Sequence, residues 1–161
     1  IIPETGVSRE LFLLKEINGQ YALVDSLEIP HEIFDFSIFS VGEEDYGFYT
    51  VGNRGSDSLF CVKIESIDPL KIDFSKTELI TTDERFTRCA GRVWVEEKSV
   101  YRIVQQQRFG NYGESIGIAV HDRDNLRSFD YEPLLNLNQN FNLSNLHTLD
   151  VFSGLIDYKK K

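Results

Sequence analysis

Residues 88–107 read RCAGRVWVEEKSVYRIVQQQ. Two apolar, aromatic-containing runs flank the turn-like Glu96, Glu97 and Lys98, which is the pattern of a β-hairpin. Yet the same stretch carries three arginines and three consecutive glutamines. A hairpin on an ordinary sheet places a few such groups on its wet face, because successive strand side chains point to opposite sides. The rest of the chain decides whether these polar residues have a further purpose.

The dominant period along the chain is two. ELFLLKE (10–16), YALVDSLE (21–28), IFDFSIFSV (33–41), YGFYTVG (46–52), SLFCVKIE (58–65), GRVWVEE (91–97), SVYRIVQ (99–105), SIGIAVHD (115–122) and TLDVFSG (148–154) are short, rich in Val, Ile, Phe and Tyr, and separated by Gly, Asn, Asp or Ser. Such runs are strands, and no window of a dozen residues has helical periodicity. The fold class is all-β.

Self-similarity then separates the all-β architectures. Asp35 opens DFSIFSVGEEDYGFYTV and Arg88 opens RCAGRVWVEEKSVYRIV, each with an acidic turn and an aromatic 13 residues on, Phe48 and Tyr101. His147 opens a shorter copy, HTLDVFSGLIDYKK, and the openers stand 53 and 59 residues apart. That spacing accommodates four antiparallel strands, the content of one propeller blade. The sequence therefore predicts a partial β-propeller with blades near 1–28, 31–82, 86–137 and 143–161, all within one β domain. A β-sandwich is the alternative. The opening IIPETG, apolar residues running into Pro3 and Glu4, reads as the end of a strand, so the chain is expected to be a piece of a larger propeller whose exposed blade edges are covered by a partner domain or a second copy.

Composition limits the partners. With 161 residues, 41% hydrophobic and 12% aromatic, the chain can bury roughly two thirds of its unfolded surface. Its net charge of -9 repels a polyanion at long range, so nucleic acid is not expected. No run of about 18 apolar residues is present, so no membrane span is expected. Cys61 and Cys89 give neither a disulfide framework nor a metal spacing. They read as reduced core residues in a cytoplasmic protein. No cofactor is expected either: glycine-rich phosphate loops and a nucleophile elbow are missing.

Taken in order, Arg88, Ala90-Gly91-Arg92, Tyr101-Arg102, Gln105, Tyr112-Gly113, Leu126, Tyr131-Glu132 and His147-Thr148-Leu149 resemble the propeller-like domain that precedes the transferase domain in glucosamine inositolphosphorylceramide transferases, a domain type that also accompanies bacterial proteins of glycan and surface-polysaccharide assembly. IIPET followed by ELFLLKE is similar to that family's Ile-Pro-Glu strand and the strand after it. The chain departs from the family in lacking a Trp after ELFLLKE, in having Cys89 where Pro is common, and in having Asp150 where Asn is common. The wider resemblance is to the five-bladed propellers of sugar-cleaving enzymes, of the arabinanase and levansucrase types. It implies an axial pocket where the first strand of each blade presents its end, with carboxylates from different blades facing a sugar.

Glu4, at a strand end, is then a candidate general acid or hydroxyl acceptor, against a plain exposed carboxylate. Asp35, between Phe34 and Phe36, must reach water or find a donor, because unpaired burial is costly. As a catalytic pair the two would need carboxyls about 5 to 9.5 Å apart. Arg88 and Arg102 carry guanidinium forks suited to carboxylate, phosphate or vicinal hydroxyls, and Gln105 both donates and accepts. Tyr112 offers a stacking face, and His147 stands at the third opener. Each also has a structural reading: Arg88 as an ion pair joining blades, His147 as a hydrogen-bonded framework residue. The functional expectation is a domain that recognises a sugar or glycoconjugate in a glycan-assembly or glycan-processing protein. A glycoside hydrolase-like enzyme and a non-catalytic scaffold are the alternatives. On the recognition reading, Arg102→Ala weakens ligand binding by about 1 to 3 kcal/mol and leaves stability nearly unchanged.

Overall fold

A computed structural model describes residues 9–52, 57–108, 111–136, 144–150 and 155–159, with the backbone alone at 107–114 and from 135 onward. These residues form thirteen strands and one short 3-10 turn, Phe74–Lys76. The strands are β1 (Glu10–Ile17), β2 (Gln20–Glu28), β3 (Ile33–Val41), β4 (Glu44–Val51), β5 (Ser58–Ile67), β6 (Leu70–Ile72), β7 (Glu78–Thr81), β8 (Arg88–Glu96), β9 (Ser99–Arg108), β10 (Asn111–Asp122), β11 (Asn125–Asn136), β12 (Ser144–Asp150) and β13 (Leu155–Lys159).

All pairings are antiparallel between sequence neighbours, apart from β7, which returns to pair with β5. The result is a hairpin β1-β2, a sheet β3-β4-β5-β6 with β7 beside β5, a sheet β8-β9-β10-β11, and a hairpin β12-β13. The two larger sheets span 33–81 and 88–136, next to the expected unit limits of 31–82 and 86–137. No helix among the described residues is long and apolar enough to cross a membrane.

The sheets stack face to face, and alternation within single strands shows how. Leu11, Leu13 and Ile29 from the first hairpin pack with Ile33, Tyr49, Val62 and Ile64 on one face of the β3–β6 sheet. The next residues along the same strands, Phe48 and Cys61, point the opposite way and join Phe39, Leu59, Cys89, Val93 and Val100 between the two large sheets. Ala90, Ile103 and Ile116 then form a third cluster on the far face of the β8–β11 sheet, where β12 approaches β8, β9 and β10. Both faces of each central sheet are therefore covered, which explains why β4 and β9 hold near-continuous buried runs instead of strict in-out alternation. At the first hairpin β2 leaves Tyr21 and Leu23 about 60% exposed, at 59% and 60%.

Two glycines admit aromatic rings laid across the ladder. A Cβ on Gly47 would run into the Phe36 ring, and a Cβ on Gly117 would run into the Tyr131 ring from the adjacent strand β11. Gly117→Ala should therefore cost about 1 to 3 kcal/mol through overpacking, measured by urea unfolding. An unchanged midpoint would show that Tyr131 does not lie over Gly117.

Candidate functional site

The opener residues sit where two distorted first strands meet. The β3–β4 ladder slips between Phe34 and Ser37, and Asp35 there takes a left-handed backbone, φ 53°, a conformation that Asp tolerates better than most residues. The β8–β9 ladder slips correspondingly between Cys89 and Val93. Bulges of this kind re-aim side chains. The two strands lie against each other, and the Ser37 hydroxyl donates to the Gly91 carbonyl at 3.3 Å.

In this junction Arg88 Nε stands 2.7 Å from Asp35 Oδ2, and Arg88 Nη1 stands 3.8 Å from Asp57 Oδ2. The guanidinium also lies 5.1 Å over the Phe34 ring. The side chains of Arg88, Asp35 and Asp57 are 11%, 10% and 6% exposed. Burial raises the Asp57 carboxyl above its ordinary range, and Arg88 opposes that shift. Gln105, buried, faces Arg88 directly across the β8–β9 ladder.

Arg102, one strand further in, is fully enclosed. Its Nη2 donates to the Phe86 carbonyl at 2.8 Å and its Nε to His121 Nε2 at 3.3 Å. The Cys89 sulfur is 3.8 Å from Nη1, and the cation stands 5.6 Å over the Phe48 ring. His121 Nδ1 is 2.6 Å from the Leu126 carbonyl. Because a carbonyl can only accept, Nδ1 carries the proton and Nε2 receives from Arg102. The guanidinium is pushed down by desolvation, against the pull of Cys89 and Asp35. His121 is driven to about 3, chiefly by burial and secondarily by the Arg102 charge. It is neutral at every ordinary pH.

The structure thus brings Asp35, Arg88 and Gln105 together and places Arg102 in the packed layer between the sheets. The expectation that Arg102→Ala leaves stability nearly unchanged is corrected accordingly, since the side chain is anchored by Phe86 and His121 with no exposed surface. Tyr112 lies in β10 and His147 in β12, with side chains outside the described residues. Glu4 also lies outside them. Asp57 and His121 are the two participants that sequence reasoning passes over. His121 was detectable, because in SIGIAVHD it shares a face with Ala119 and Gly117, whereas the sequence Gly-Ser-Asp-Ser around Asp57 has no distinguishing pattern.

Cys61 and Cys89 are both buried thiols. Burial pushes Cys61 up to about 12 and raises Cys89 as well, so neither is a ready nucleophile. Among the described residues no group of three or more His, Cys, Asp or Glu is placed to hold a metal ion. Two concave features lie away from the junction. A trough of about 460 Å³ runs past Lys98, Asp122 and Asp130, and a cleft of about 220 Å³ opens beside Phe39 and Tyr46. No protein-family model, no curated protein and no solved structure matches the chain.

Two outcomes follow from the buried groups. Arg102→Ala should destabilise the fold by at least about 2 kcal/mol, the scale of lost charge-assisted hydrogen bonds and orphaned acceptors, measured by urea unfolding; a loss below half that would contradict the enclosure. His121 binds a proton in the unfolded chain near the ordinary imidazole value of 6.5 but in the native chain only near 3. Its contribution is therefore complete above 6.5 and is lost as pH falls, with a slope approaching about 1.4 kcal/mol per pH unit. Asp57, whose shift is upward, acts in the opposite sense within the carboxylate range. Unfolding free energies at pH 7, 6 and 5 should fall progressively in the wild type and stay flat in His121→Gln. Identical profiles would rule out a neutral buried His121.

Proposed function

We propose that the chain is part of a β-propeller of the five-bladed, glycosidase-like type, and that it serves as a carbohydrate- or glycoconjugate-recognising domain of a glycan-assembly or glycan-processing protein. The observation that carries this reading is the adjacency of first strands: β8 lies against both β3 and β12, and Asp35, Arg88 and His147 belong to those three strands. In a ring of blades, first strands surround the axis, and ligands bind where their ends converge. Arg88 supplies a planar donor fork, Asp35 an acceptor and Gln105 both, a combination suited to vicinal hydroxyls or to an anionic glycoconjugate. An anionic group would compete with Asp35 for Arg88.

A non-catalytic scaffold is the second reading, favoured by the same Arg88–Asp35 contact at 2.7 Å taken as a finished ion pair between sheets. The two separate on binding. The protein is screened against neutral oligosaccharides, phosphorylated glycoconjugates and sugar nucleotides, together with Arg88→Lys, which keeps the charge and loses the fork. Recognition predicts a wild-type ligand whose affinity drops about tenfold or more in Arg88→Lys, the equivalent of about 1.4 kcal/mol, with the circular dichroism spectrum unchanged. No ligand for the wild type across the panel would favour the scaffold.

A further inference from the structure

The cleft of about 220 Å³ lies at the turn end of the β3–β4 hairpin, away from the Asp35 bulge, where the β10–β11 turn leans onto that hairpin. Its apolar wall is Val41 and the half-buried Tyr46 ring, backed by Phe39, which is only 4% exposed, and its polar rim is Glu78, Arg123 and Asn125. Phe39 and Tyr46 are cross-strand partners in the β3–β4 ladder, with ring centroids 5.6 Å apart and planes within 22°. The rim and wall are held in place before any ligand arrives. The Tyr46 hydroxyl donates to Glu44 at 2.7 Å, and Glu44 is also bound by Lys63. Arg123 Nη1 donates to the Glu97 carbonyl at 3.0 Å, and the Arg123 backbone N–H donates to the Lys98 carbonyl at 2.8 Å. Glu78 is paired with Arg127 at 2.9 Å. Residues from two sheets thus converge on a concave site where Tyr46, Arg123 and Glu78 are oriented by partners outside it.

We infer that this cleft is a subsite for a single sugar ring, a neutral hexose or N-acetylhexosamine unit. The exposed part of the Tyr46 ring accepts the apolar C–H face of a pyranose, while a carboxylate, a guanidinium and a carboxamide around it supply both acceptors and donors for hydroxyls. Mixed charge at the rim, with Glu78 and Asp124 beside Arg123, gives a multiply anionic ligand no net attraction and suits a neutral one. The volume lies below the roughly 300 to 1,000 Å³ of sites that enclose drug-sized ligands, so it takes one ring and leaves the remainder of a glycan in solvent. Such a subsite stands apart from the first-strand junction and would hold a peripheral unit of the same glycan. The inference rests on the proposed recognition function for its ligand class and on the cleft alone for its location.

The test maps binding residue by residue. Titration of the labelled protein with glucose, galactose, N-acetylglucosamine and N-acetylgalactosamine at millimolar concentration is followed by amide chemical shifts in the wild type, in Asn125→Leu and in Tyr46→Ala. The expected result is saturable shifts at Phe39, Val41, Tyr46 and Leu126 for at least one sugar, weakened at least fivefold in Asn125→Leu, whose exposed turn position leaves the fold intact, and in Tyr46→Ala. Saturable shifts confined to Asp35, Arg88 and Gln105 would overturn the cleft while sparing the recognition reading. Absence of shifts at the cleft with all four sugars, while the glycan panel still finds a ligand, would likewise overturn it. Failure of the panel as well would remove both.

Discussion

The contact between Arg88 and Asp35 fixes how the two large sheets meet. It joins residues 53 positions apart on the first strands of successive sheets, in a place where each side chain is about nine-tenths covered. A buried ion pair adds little net stability over a well-packed apolar pair, but it makes any arrangement that separates the partners costly, since an isolated charge would be stranded away from water. It therefore selects one relative placement of β3 and β8. The left-handed backbone of Asp35 belongs to the same constraint: the bulge aims the carboxylate, and the ion pair holds the bulge. Asp57 and Arg102 complete the balance, giving two carboxylates and two guanidiniums within one layer. That neutrality is what lets four ionisable side chains share an interface with Phe48, Leu59 and Val100.

Much of this was legible in the sequence. IFDFSIFSV reads as a strand and is one over the same residues, 33–41, because β-branched and aromatic residues alternate there between turn signals. The all-β character follows from nine such runs. β11 escaped the reading: both alternating faces of NLRSFDYEPLLN mix polar and apolar residues, and it contains Pro133. As the edge strand of its sheet it needs no donor on its outer side, so a proline fits where a central strand would exclude it. β6 and β7 escaped because three or four residues carry no period. They exist through pairing with β5.

The candidate residues were recognisable as a set and not as partners. Asp35 and Arg88 stood out as corresponding positions of a repeat, but that one answers the other is a property of how two sheets stack, which no local pattern encodes. Arg102 shows the limit more sharply. A polar residue in an apolar strand suggests a wet face or a ligand, and the inference fails here because the β8–β11 sheet is covered on both sides. Its charge is accommodated by a carbonyl, a histidine and an aromatic face drawn from Phe86, His121 and Phe48, each contributed by a different segment. Buried polar positions of this kind specify a single packing arrangement.

The dependence of the sheet junction on its ion pair can be measured by a double-mutant cycle on Asp35→Ala and Arg88→Ala, with unfolding free energies from urea titration at pH 7. The account predicts a coupling energy of at least about 1.5 kcal/mol, near the middle of the range for residues in one network, with each single variant nearly as unstable as the double. Additive single effects, with coupling below about 0.5 kcal/mol, would show that the two residues do not hold the sheets together and would contradict the account.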